Sequence, residues 1–173
     1  MTDVQKQCLL AALGYYPHRE IDGIWGEKSR TAMAAFETAN PGKSLPEAVA
    51  QIKVEEDFWS SIRHFTREEF RCRCGGKYCS GFPAEPDRKL VELIDQVRGD
   101  FDAPAIISSG LRCSRHNLDS GGVSNSRHLS GRAVDFMVLG VSGKTLYNRV
   151  KRDSRTRYAY IIGSGPYVHV DVK

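Results

Sequence analysis

Two apolar runs near the end of the chain carry ionisable side chains, and this restricts what the chain can fold into. Residues 132–138 (RAVDFMV) place Asp135 inside a strand-like stretch, and residues 167–172 (YVHVDV) do the same with His169 and Asp171. Side chains alternate across a strand, so Ala133, Asp135 and Met137 share one face and Val134, Phe136 and Val138 the other. His169 and Asp171 likewise share one side of their strand. An inward carboxylate in such a run costs several kcal/mol unless it is paired or bound to a metal.

His128 precedes Asp135 by seven positions and lies on a Gly-rich loop entering that strand, while His169 follows Asp135 by 34. Two imidazoles and a carboxylate are a common ligand set for catalytic zinc. Three protein ligands leave a fourth position for water, whose pKa the ion lowers towards 7. The alternatives are a surface histidine at 128 and an Asp135 paired with a cation.

The surrounding pattern is mixed. Residues 86–101 (PDRKLVELIDQVRGDF) place Leu90, Leu93, Ile94 and Val97 on one helical face, with Pro86 at the start and Gly99 near the end. Residues 103–112 predict a short buried strand (AIIS) running into a turn, and residues 116–131 (HNLDSGGVSNSRHLSG) a polar loop. SGKTLYNRVKRDSR (142–155) predicts a helix capped by Ser142, and YAYIIG a further strand. Helices followed by grouped strands predict an α+β domain. Ahead of it, residues 4–13 repeat Val4, Cys8, Leu9 and Ala12 at helical spacing, which predicts a helix with Cys8 in its core face, stopped by Gly14. Pro17 and Asp22-Gly23 mark a loop, Glu27–Ala39 puts Ala32, Ala35, Phe36 and Ala39 on one helical face, and a third helix is expected over 45–62.

Composition narrows the class. Hydrophobic residues at 40% and charged residues at 27% exclude wholesale disorder. No run approaches the roughly 18–20 apolar residues of a membrane span. Charge is uneven: residues 1–55 carry six Lys/Arg against seven Asp/Glu, and residues 56–173 nineteen against fourteen. The net +5 of the second part suits an anionic partner or is a soluble surface; no nucleic-acid-binding motif accompanies it. The start, MTDVQKQCLLAALGYY, shows no basic segment followed by a long apolar stretch, so a secretory signal is not expected.

Ser109-Gly110-Leu111-Arg112, Ser126-Arg127-His128, Gly131, Ala133, Asp135 and Val168-His169-Val170-Asp171, with the leading FTREEFRCRCG segment, resemble the zinc D-alanyl-D-alanine carboxypeptidase family. That family includes L-alanyl-D-glutamate endopeptidases of phages and bacilli, and the resemblance spans most of residues 65–173. It implies that His128, Asp135 and His169 hold Zn2+, that Arg112 polarises the substrate carbonyl, and that Ser126 bonds substrate or loop. The chain departs from the family where many members carry an acid three residues, or a histidine two residues, before the last ligand. Pro166 and Tyr167 stand there. The general base is therefore unassigned. Asp171 is the nearest carboxylate, as base or as a group that fixes the ligand's geometry; Asp119 is a further candidate. His116 is expected to line the cleft or to lie exposed in its loop.

Val4-Gln5, Leu9 to Gly14-Tyr15, Ile21-Asp22-Gly23-Ile24-Trp25-Gly26, Thr31-Ala32 and Ala35-Phe36-Glu37 resemble the peptidoglycan-binding domain of wall hydrolases, with Glu37 in place of the usual glutamine. This implies that Asp22 and Trp25 contact the wall. The expected architecture is a three-helix bundle over 1–62 and an α+β zinc peptidase domain over 63–173 with a mainly antiparallel sheet. The expected protein is a monomeric, endolysin-like peptidoglycan hydrolase, made in the cytoplasm of a host bacterium and acting on the wall in the periplasm after release. The rivals are a D-Ala-D-Ala carboxypeptidase and a non-catalytic zinc-containing wall-binding protein.

Cys72, Cys74, Cys79 and Cys113 are open to three readings: a structural zinc site, one or two disulfides, or free thiols. Their spacing, C-x-C-x4-C and a distant fourth, is irregular and selects none of them.

Overall fold

A computed structural model describes residues 1–173, apart from the side chains of residues 53–57. The chain divides into two compact units, Met1–Phe58 and Trp59–Lys173.

In the first unit, helix α1 (Asp3–Ala12) starts at a capping box: Thr2 Oγ1 accepts from Gln5 N, and the Gln5 side chain accepts from Thr2 N. Helices α2 (Glu27–Ala39) and α3 (Leu45–Ser61) follow. The core is Leu10, Ala11, Tyr16, Ala32, Phe36, Leu45 and Ala48. The buried face of α1 is Gln7, Leu10 and Ala11, whereas Val4 and Cys8 are exposed, which corrects the expected face. On α2 the buried positions are Ser29, Ala32 and Phe36, while Ala35 and Ala39 are exposed. The cause is Gln7. Its Nε2 lies within 3.3 Å of Asp22 Oδ1, Ile24 O, Ser29 Oγ and Tyr16 Oη, and its Oε1 accepts from Gly23 N at 2.8 Å. A fully buried amide is stable only when its hydrogen bonds are met. The 21–26 loop meets them here, and that requirement sets the helix's rotation.

The second unit opens with a short 3-10 turn (Arg67–Phe70) and an irregular stretch, then helix α4 (Arg88–Phe101). Leu90, Val91, Leu93, Ile94 and Val97 are buried, as the helical periodicity predicts. Strand β1 (Ala105–Ser109), helix α5 (Ser114–Asp119), a 3-10 turn (Arg127–Ser130), β2 (Ala133–Val138), α6 (Gly143–Lys151), β3 (Thr156–Ile161) and β4 (Val168–Val172) complete it. Residues 114–119 were expected to include the start of a polar loop. They instead form α5, because Asn117 is buried and braces the loop beyond, its backbone and Nδ2 bonding Gly122 N and Val123 O.

The strands form one antiparallel sheet in the order β1-β2-β4-β3. Helices α4 and α6 pack on it. Val134, Phe136 and Val138 of β2 and Val168, Val170 and Val172 of β4 are fully buried. Each such side chain contributes about 1.5–3 kcal/mol. A one-residue slip of either strand would exchange this apolar set for Asp135, His169 and Asp171, so the register is strongly specified. Among the described residues no helix is long and apolar enough to cross a membrane.

After α6 the chain turns at Asp153. Its carboxylate takes two bonds from Arg155 Nε and Nη2 at 2.8 Å and one from Arg155 N at 3.1 Å. These Arg155 bonds hold Asp153 down to about 2 from an ordinary 3.8. A depressed carboxylate stabilises the fold above its unfolded pKa and loses that contribution as pH falls towards the folded value. Asp153→Asn is therefore expected to lower unfolding free energy by about 1–2 kcal/mol at neutral pH. In urea titrations, its deficit relative to the parent should narrow below about pH 4; a deficit that stays constant down to pH 3 would contradict the assignment.

Candidate metal centre

The β2–β4 register sets Asp135 opposite His169, β1 adds Ser109 opposite Asp135, and β3 adds Tyr160 opposite His169. Four cross-strand neighbours thus form one row across the sheet. His128 reaches the row from the turn that precedes β2.

His128 is 3% exposed, and its Nδ1 lies 2.7 Å from Gly110 O. A ring nitrogen that close to a carbonyl oxygen donates to it, which turns Nε2 towards the other two residues. That atom faces Asp135 Oδ1 at 3.4 Å. His169 Nδ1 lies 2.7 Å from the same oxygen. Asp135 Oδ2 accepts from Arg112 Nη2 at 2.7 Å, and Arg112 Nε donates to Ser109 Oγ at 2.8 Å. Burial by itself would raise the Asp135 carboxyl. The hydrogen bonds and charges of His128 and His169 outweigh it and hold the group well below the usual carboxylate range. The ligand atoms of His128, Asp135 and His169 lie within 4.8 Å of one another, and all three residues are buried. This donor set fits zinc: two imidazoles and one carboxylate, with a hydrogen-bonded carbonyl fixing one ring.

The three residues line a cleft of about 500 Å3, which Arg112, Ser126 and Asp171 also border. Ser126 lines it, where the 120–126 loop meets the 3-10 turn. Asp171 is 2% exposed, and its two oxygens are taken by Arg157 Nε at 2.8 Å and Nη2 at 2.6 Å. Its nearest approach to His169 Nε2 is 4.0 Å. Asp119 is not brought to the cleft; it is exposed on α5 and pairs with Arg115. Nor does His116 line it: its Nδ1 lies 3.3 Å from Cys72 Sγ, in the group of four cysteines whose sulfurs also lie within 4.8 Å of one another.

Sequence reasoning missed Tyr160 and Arg157. Tyr160 stacks on the His169 ring with centroids 4.8 Å apart, and burial together with the Asp135 charge pushes its phenol up. Arg157 lies where the β3–β4 pairing shifts between Thr156 and Tyr158. Only the pairing of β3 with β4 reveals either residue, and no local motif announces it.

The sequence pattern of the peptidase M15 family matches residues 63–171. A comparison with solved structures found a Serratia marcescens L-Ala D-Glu endopeptidase, ChiX, at 23% identity and a TM-score of 0.40, covering 66% of this chain and 92% of the other. A comparison with curated proteins found no match. The chain belongs to the peptidase M15 family.

The Asp171–Arg157 pair yields a stability test. Arg157→Met leaves a buried carboxylate without its cation and is expected to lower the melting temperature, by less than for a fully buried pair because Arg157 is half exposed. Arg157→Met combined with Asp171→Asn should recover part of that loss in thermal unfolding. A double variant no more stable than the single one would show that the pair is not coupled.

Proposed function

We propose that this M15 peptidase hydrolyses peptide bonds of bacterial peptidoglycan, with Zn2+ held by His128, Asp135 and His169. The observation that carries the reading is the row Ser109–Asp135–His169–Tyr160, which gathers two of the ligands, the anchor of Arg112 and an aromatic wall in one cleft. The chemistry a bound zinc ion supplies is a water of lowered pKa and a polarised scissile carbonyl.

The protein's own residues do the rest. Ser109 and Asp135 hold two of the five N–H donors of Arg112, which fixes the guanidinium and leaves three donors free for substrate. A fixed cation there stabilises the oxyanion that develops as the carbonyl is attacked. Gly110 fixes the tautomer of His128, and Tyr160, a neutral phenol at ordinary pH, holds the His169 ring by stacking. Ser126 donates to the substrate backbone in the cleft. Asp171 acts through Arg157 and the backbone of β4 as a positioning residue: both its oxygens are engaged by a guanidinium.

Residues 1–62 serve in this reading as a wall-binding domain and residues 63–173 as the catalytic domain. In the 21–26 loop Gln7 and Ile24 N hold Asp22 in place, Trp25 is half-buried under Lys6, and Ile24 is 69% exposed. These residues offer an aromatic and polar surface suited to a glycan–peptide polymer. Tethering raises the local substrate concentration. The pairing of such a domain with the peptidase supports an endolysin-like role for a monomer that acts on the wall after release.

Purified protein incubated with isolated peptidoglycan is expected to release new peptide termini, identified by mass spectrometry, in a zinc-dependent manner. His128→Ala should abolish them. Arg112→Ala should lower kcat by about 100–1,000-fold while the zinc content of the His128 site changes little. Internal termini identify an endopeptidase and loss of terminal D-alanine a carboxypeptidase. Intact peptides with wall binding would leave a non-catalytic binding protein and refute the proposal.

A further inference from the structure

We propose that Cys72, Cys74, Cys79 and Cys113 bind a second, structural zinc ion that locks the loop carrying Arg112. The four sulfurs lie within 4.8 Å of one another around a common centre, with Cys72 and Cys113 buried and the other two half-buried. Cys74 and Cys79 Sγ are 3.5 Å apart, far from the roughly 2.05 Å of a disulfide. Four convergent thiols favour no particular pairing, and four thiolates close a tetrahedral zinc site with no open position.

The local backbone is built for it. Gly75 and Gly76 take left-handed conformations at φ 65° and 82°, and the turn they make returns Cys79 to Cys74. A main-chain N–H points at sulfur: Cys113 N donates to Cys72 Sγ at 3.3 Å. Binding an ion would release the thiol protons to solvent. His116 Nδ1 lies 3.3 Å from Cys72 Sγ, and Arg71, Arg73, Lys77 and Arg115 lie in the same segments of the chain.

The segment also needs a staple. Residues 71–87 form neither helix nor strand, and the apolar cluster beneath them contains little beyond Leu111, Tyr78, Phe82, Ala84 and the cysteines themselves. A metal replaces the missing core. Its fourth ligand, Cys113, adjoins Arg112. Leu111 N donates to Phe70 O, Arg112 N to His128 O, and Gly110 O accepts from His128 Nδ1. The 110–113 loop is thus held by the cysteine cluster on one side and by the histidine site on the other.

The test uses full-length protein purified with zinc, beside His128→Ala, and reads metal per chain together with thiol reactivity towards a chromogenic disulfide. It does not use peptidase activity, so its outcome is independent of the proposed reaction. The parent is expected to hold two zinc ions per chain and His128→Ala one. Cys8, which is exposed, should react at once. The other four thiols should react only after chelator is added, and cobalt exchanged into His128→Ala should show sulfur-to-cobalt charge-transfer absorption. A His128→Ala protein without metal overturns the proposal. Four further thiols that react without chelator, or that stay silent in chelator and denaturant because they are disulfides, overturn it equally.

Discussion

The pairing of β2 with β4 is the interaction on which the rest depends. It sets Asp135 against His169 on one face of the sheet, and on the other it sets Val134 against Val170 and Phe136 against Val168. The two faces are inseparable because side chains alternate along each strand. Burial of six apolar side chains under the helices sets the register, and the hydrogen bonds from His169 and Arg112 hold the Asp135 carboxylate beside the imidazole. The hydrophobic effect is non-directional, and the pleat converts it into a directed placement of ligands.

The loop from Gly110 to Cys113 is the second organising element. Gly110 approaches Phe70 so closely that a Cβ there would meet Phe70 O at 2.5 Å. That closeness lets Leu111 bond Phe70 O while the Gly110 carbonyl turns to His128. Four consecutive residues thereby fix a histidine tautomer, seal a backbone join, present a guanidinium and supply a thiol.

Much of this was legible in the residues. Asp135 and His169 stood out because a strand run has no place for an unpartnered charge, and the helix of 88–101 announced itself by the spacing of Leu90, Leu93, Ile94 and Val97. What escaped was long-range. Gln7 is polar and nothing in the local pattern marks it as core, yet it is fully buried, because its partners lie 9 to 22 positions away in segments whose arrangement the sequence does not reveal. Cys8 was drawn into the core for the converse reason: small and apolar, it looked like part of a stripe that Gln7 in fact rotates outward. Asp171 looked like a spare carboxylate because Arg157 sits on a different strand, beside a shift in pairing that no local pattern foretells. His116 belonged to the cysteines rather than the cleft, and only α5, unforeseen in a Gly- and Ser-rich stretch, turns it that way.

Ligands borne on adjacent strands have a consequence of their own. The separation between Asp135 and His169 is a spacing of the backbone, about 4.5–5.5 Å between opposed residues, and owes little to side-chain flexibility. In the proposed function the sheet acts as a ruler for the metal. The 120–126 loop, which borders the same cleft, contributes nothing to that ruler and is free to be rewritten. On the proposed reading such a protein can change what it accepts without recalibrating how it would grip zinc, and altered specificity should be sought in that rim and not in the floor.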